Sequence, residues 1–273
     1  MKYTELIAER RSVRTFDGKG LSEKEVSEIM KCAAGADNPF DIGIEWRILD
    51  AVKDGLSSPV IDGTDVYIAG KMKRIPYAEE AFGYSFEKIV LYAQSIGIGT
   101  TWIAGTMDRK AFERAMDIRD DEVLPAVSPL GHPAMKMSFR EKMMRKGVGA
   151  EKRLPFSEIC FRDSFDRPLD YEDAGILQQP LEAVRLAPSA VNRQPWRIVV
   201  SDDKVRFYKK ASKGMTSPSW DIQKIDMGIA LCHFELVAKE CGLSVRSHFE
   251  EPDIVGDESP EYIVTCIIDT NDR

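Results

Sequence analysis

Histidine is scarce in this sequence. The three present, His132, His233 and His248, lie far apart, and no H-E-x-x-H pair or cysteine–histidine cluster accompanies them. A zinc or related metal centre is therefore not expected. The five cysteines, Cys32, Cys160, Cys232, Cys241 and Cys266, form no C-x-x-C pair and are odd in number. They read as buried thiols in a reducing compartment rather than as a disulfide framework. Positive charge is also in deficit: 38 Lys and Arg face 45 Asp and Glu, giving a net charge of −7 and a pI near 5.2. Nucleic acid is not an expected partner, although a local basic cluster can still hold a small anion. No apolar run approaches the roughly 18 residues of a membrane span. The opening MKYTELIAER is charged and amphipathic rather than a secretion signal, so a cytoplasmic location is expected. A G-x-S-x-G nucleophile elbow is missing too.

What the chain does have is self-similarity. EIMKCAAGADN (28–38) aligns with QPLEAVRLAPS (179–189), placing Met30 over Leu181 and Ala36 over Ala187. WRIL (46–49) aligns with WRIV (196–199), and FEKIVLYAQSIGIG (86–99) with LCHFELVAKECGLS (231–244). The order is the same and the offset stays near 145–151 residues, which argues for duplication of one unit. The junction falls at 154–170, where Pro155, Pro168 and several charges break periodicity. Units at 1–155 and 156–273 are expected.

Local signals predict an α+β sheet protein. Ser22 and Glu25 form a capping box that opens a helix through about Ala34. Glu45–Asp50 reads as a strand. Phe86, Ile89, Val90 and Ala93 recur at helical spacing up to Gly97, a left-handed stop. A short helix follows Asp108, and Val123–Leu130 reads as one strand. In the second unit, Trp196–Val200 and Val205–Tyr208 read as a hairpin across Asp202-Asp203, followed by a long helix near Asp226–Cys241 and a final strand, Tyr262–Asp269.

Three stretches carry candidate chemistry. In ERRSVRTF (9–16), Arg10, Ser12 and Arg14 alternate, so an extended segment puts them on one face, suited to a phosphate. In LAPSAVNRQPW (186–196), turn formers and hydrogen-bonding side chains precede a strand. In GIGTTWIAG (97–105), the G-x-G-x-x-G spacing fails at Trp102 and the run follows a helix, so a dinucleotide-binding turn is not indicated. The segment with Met135, Met137, Met143 and Met144 among Arg140, Lys142, Arg145 and Lys146 reads either as an adaptable lid over an apolar substrate or as surface.

Together, RRSVR, APSAVNRQPW and GIGTTWIAG resemble the FMN-dependent nitroreductase family, in the single-chain form with two fused units. The resemblance implies a nitroreductase-like fold in which the two units form an intramolecular pseudo-dimer around a single FMN. Arg10, Arg11, Ser12 and Arg14 would take the phosphate and ribityl chain, and Lys152 and Arg153 would return to the phosphate. Trp102, Ile103, Ala104 and Gly105 would pass along the flavin, with the Ala104 and Gly105 N–H groups facing N5, while Pro188, Ser189 and Asn192 cover it. It implies chemistry on the cofactor rather than on a side chain: NADH or NADPH reduces FMN, which then reduces a nitroaromatic, a quinone or another small electron acceptor, in ping-pong order. The partner motifs have decayed: Asp163 stands over Ser12, Phe165 over Arg14, and Asp37 and Asn38 over Pro188 and Ser189. The fusion removes the need for a second chain, so a monomer suffices. A flavin- or nucleotide-binding protein without turnover remains the alternative.

Overall fold

The computed structural model describes residues 2–214, 220–250 and 260–269. Two sheets flank a pair of long buried helices. The elements, in chain order, are α1 (Tyr3–Glu9), α2 (Glu23–Ala34), β1 (Glu45–Asp50), α3 (Ala51–Asp54), β2 (Val66–Lys73), α4 (Ala78–Ser95), α5 (Arg109–Ala115), β3 (Glu122–Val123), β4 (Val127–Leu130) and α6 (Phe139–Gly147). The chain continues with α7 (Phe156–Ile159), β5 (Cys160–Arg162), α8 (Gln178–Leu186), β6 (Trp196–Ser201), β7 (Lys204–Lys209), α9 (Ile222–Glu240), β8 (Ser244–His248) and β9 (Glu261–Asp269). In the first sheet β2 pairs antiparallel with β1, β3 and β4. The second has the order β5-β6-β7-β9-β8, antiparallel except for the β5–β6 pair.

The expected caps are in place. Ser22 and Glu25 bond reciprocally at the start of α2, and Asp108 accepts from Ala111 N at α5. Gly97 has φ of +80°, the left-handed stop after α4. The α9 helix begins four residues earlier than its apolar pattern suggests, because Asp221 accepts from Gln223 N as its cap. The predicted strand Val123–Leu130 is two strands, since Pro125 has no N–H for the ladder. Strand β2 carries no clear sequence signal because it contains Gly70 and Lys71. A Cβ on Gly70 would lie 2.3 Å from the Trp46 ring, so the glycine makes room for the indole.

Helices α4 and α9 are buried on nearly every face, with mostly apolar side chains, as helices at the centre of a fold are. They cross at two glycines. A methyl on Gly83 would come within 2.0 Å of the Ile225 carbonyl oxygen, and one on Gly228 within 2.0 Å of the Glu80 carbonyl oxygen. The crossing is therefore backbone against backbone. One continuous core holds Ile68, Phe82 and Phe86 from the first half together with Trp196, Phe207 and Phe234 from the second.

Candidate functional site

Beyond α1 the chain runs extended, tied by Val13 N to Thr100 O at 2.8 Å and by Phe16 N to Asp62 O at 2.9 Å. Its alternation sends Arg10, Ser12 and Arg14 into a cavity of about 340 Å³ and buries Val13 on the other side. The cavity is also lined by Trp102, Ile103, Ala104, Gly105, Arg153, Pro188, Ser189 and Asn192. Three stretches far apart in sequence thus meet at one site.

Two of the expected residues stay out of it. Arg11 points the opposite way by the same alternation, and its Nη1 lies 3.1 Å from Glu141 Oε1. Lys152 offers only its carbonyl to the site's framework, accepting from Asn192 Nδ2 at 2.9 Å, while its side chain lies on the far side of the 149–153 turn. Neither side chain is positioned to touch a ligand in the cavity.

The site is rich in buried cation. Burial lowers the Arg10 pKa, opposed by Glu87, whose Oε1 lies 3.9 Å from Arg10 Nε. Burial and the neighbouring guanidinium groups of Arg10, Arg185 and Arg145 bring Arg153 down to about 10. The Nε atoms of Arg10 and Arg153 are buried without a hydrogen-bond partner among the described residues. Neither group is wholly unpaired: Arg10 faces Glu87, and Arg153 donates from Nη1 to the Ala150 and Lys152 carbonyls and from Nη2 to the Leu186 carbonyl. A buried N–H left without an acceptor is costly, and a phosphate would satisfy it with charge-assisted bonds.

The loop at 188–194 is built to hold an unusual shape. Val191, Asn192 and Gln194 all have positive φ, at 44°, 58° and 51°. Ser189 Oγ accepts from Gln194 N at 2.8 Å, which leaves its hydroxyl hydrogen available. Asn192 Nδ2 donates to the Gly149 and Lys152 carbonyls at 2.8 and 2.9 Å, clipping this loop to the end of the segment after α6. Opposite, Trp102 Nε1 donates to Glu87 Oε2 at 2.9 Å, and Ile103 pairs with Val127. No described residue accepts from the Ala104 or Gly105 N–H.

Several lining residues were not read from the sequence. Ile222, Ile225, Asp226 and Ile229 form the floor from α9. Their spacing of i, i+3, i+4 and i+7 was visible, and a lone Asp in such a row is the signal that could have marked them. Asp226 Oδ1 accepts from Ala190 N at 3.0 Å while Oδ2 has no partner among the described residues, and burial drives its pKa well above the ordinary Asp value. From the other side, Met144 and Arg145, which belong to the basic methionine-bearing segment read as lid or surface, close over the cavity with Val148. Helix α6, which carries Met144 and Arg145, is docked there by buried Glu141, which accepts from Arg14 N at 3.2 Å and Thr15 Oγ1 at 2.9 Å.

Known proteins resemble this chain in sequence and in fold. The family model described as "Putative TM nitroreductase" matches residues 2–238. A protein of Archaeoglobus fulgidus named "Putative NADH dehydrogenase/NAD(P)H nitroreductase" is 27% identical over 154 residues, covering 50% of this chain and 88% of that one. Among solved structures, a putative nitroreductase from Thermotoga maritima shares the fold, with a TM-score of 0.65 at 22% identity over 98% of this chain and 94% of that chain. A putative nitroreductase from Desulfovibrio desulfuricans in complex with FMN has a TM-score of 0.42 at 17% identity, covering 50% of this chain and 88% of that chain. By the family match across most of its length, the chain belongs to this nitroreductase family and is an oxidoreductase.

Proposed function

We propose that the cavity binds one FMN per chain and that the two halves act as an intramolecular pseudo-dimer around it. The observation that carries this reading is the pair of buried Nε atoms, of Arg10 and Arg153, left without a partner among the described residues, in a cavity lined also by Ser12 and Ser189 and by both halves. Arg10, Arg14, Arg153 and Ser12 would hold the phosphate. Trp102–Gly105 and Pro188, Ser189 and Asn192 would line the ring system, with the free N–H groups of Ala104 and Gly105 as donors. When bound, FMN supplies hydride exchange between a nicotinamide reductant, NADH or NADPH, and a small acceptor such as a nitroaromatic or quinone. The chain's part is placement. Ile222, Ile225, Ile229, Met144 and Val148 exclude water. Burial raises the Asp226 pKa and so favours the neutral carboxyl in the floor. Asn192 keeps the loop clipped over the site.

Three features support the pseudo-dimer. Strand pairings β1–β2–β4 and β6–β7–β9 follow the same order. The glycine contacts are reciprocal: Gly83 with Ile225 and Gly228 with Glu80, each residue standing 145 positions from its counterpart. Such i-to-j, j-to-i contact is the mark of a two-fold interface. A relative matched over 88% of its own length occupies only half of this chain.

A single cofactor also accords with what stands at the equivalent second place. By the same offsets Phe40 replaces Val191, Tyr77 replaces Ile222 and Phe249 replaces Ala104. These three rings pack together with centroids 4.9–5.7 Å apart. Phe165, the counterpart of Arg14, packs on Phe161 and Tyr208. Rings fill where a ligand would lie.

The test is the FMN content of denatured protein. One FMN per chain is expected, with Arg10→Ala and Ser189→Ala each weakening that same site. NADH or NADPH should bleach the flavin absorbance. Two flavins per chain, or none, would refute the proposal.

A further inference from the structure

Beside the cofactor cavity lies a second groove of about 390 Å³, lined by Met137, Lys142, Arg145, Lys146, Gly149, Ala150, Glu151 and Lys152. It is a basic surface on an acidic protein. Residues 135–153 hold seven cations and two carboxylates, in a chain with a net charge of −7. One of those carboxylates, Glu141, is buried and engaged by Arg11, so it does not neutralise the groove. The other, Glu151, is 3.3 Å from Arg145, and its side chain is 87% exposed. No described carboxylate lies within 4.0 Å of the ammonium groups of Lys142, Lys146 or Lys152.

The groove is continuous with the cavity: Arg145 and Ala150 line both. A ligand whose reactive ring enters the cavity therefore has somewhere charged to leave the rest of itself. A nicotinamide dinucleotide has this form. Its diphosphate alone would meet Arg145, and three further lysines are more cation than that group requires. We propose that the groove is the subsite for the adenosine 2′-phosphate, making the physiological reductant NADPH rather than NADH. This rests on the FMN reading of the neighbouring cavity. Lys142, Lys146 and Lys152 supply point-charge donors to the dianion. Glu151 competes for Arg145 and swings out to solvent when the phosphate arrives.

FMN-loaded protein is titrated calorimetrically with 2′,5′-ADP and, separately, with 5′-AMP. The first should bind at least tenfold more tightly, and added salt should erode the difference. Lys142→Ala and Lys146→Ala should each weaken 2′,5′-ADP by about tenfold, the worth of one charge-assisted bond, and Glu151→Gln should tighten it. Under turnover, the NADPH-to-NADH ratio of kcat/KM should fall toward one in the lysine variants. Equal binding of the two nucleotides by protein that carries its one FMN overturns the subsite alone. Protein that carries no FMN overturns the reading of the cavity and the subsite with it.

Discussion

Single residues in this protein carry costs that can be measured. Glu80 is buried in α4 with one carboxylate oxygen unpartnered, and burial raises its pKa to about 7. In the unfolded chain it ionises near 4.5. Its contribution to stability is thus fully present below pH 4.5, falls as pH climbs toward 7, and is level above that. The loss amounts to about 3 kcal/mol across the window. Glu80→Gln should flatten that window, as read from urea midpoints between pH 4.5 and 8; an unchanged slope would show that Glu80 is not the source. Val191 is a β-branched residue held at φ of 44°. Relieving it with Asn, which tolerates the left-handed region, should stabilise the protein by about 1 kcal/mol in denaturant unfolding. At this scale the sequence was most legible where chemistry and alternation coincide. Arg10, Ser12 and Arg14 face one cavity because a two-residue period requires it. Arg11 and Lys152 were included by motif alone, and backbone direction turns them away. Asp226 escaped notice, and Arg145 was legible only as part of a basic segment that could be lid or surface, because their meaning comes from neighbours distant in sequence.

At the level of elements, the helix pair dominates. Gly83→Ala or Gly228→Ala would drive a methyl into a carbonyl oxygen of the facing helix. Backbone cannot yield as a side-chain tip can, so each should cost about 3 kcal/mol or more, seen as a lower thermal midpoint and smaller FMN occupancy. Equal stability to the parent would refute the close crossing. Caps and turns made most elements readable: Ser22, Asp108 and Gly97 act as their chemistry dictates. Strand β2 was not readable, because Gly70 answers to the Trp46 ring and Lys71 to buried Glu122, both tertiary demands. Nor was the docking of α6, which depends on Glu141 reaching back 126–130 residues to Arg11 and Thr15.

For the whole molecule, one core runs through both halves. Residues 1–155 expressed alone would expose Phe82, Phe86 and the whole α9-facing side of α4, and should show no cooperative melting by circular dichroism. A cooperative transition in that fragment would mean the units are independent domains. The repeats suggest a duplication from sequence, but the reciprocal crossing is visible only in the packed helices.

The crossing has a consequence for ligand size. The Ile225 carbonyl that rests against Gly83 belongs to the same turn of α9 that presents Ile225 and Asp226 as the cavity floor. Interhelical spacing therefore sets the depth available above that floor. Bulk introduced at a position no ligand touches would raise it and make the cleft shallower. Drift at the α4–α9 crossing is thus a route by which descendants of this enzyme could change which molecules they admit while every lining residue stays the same.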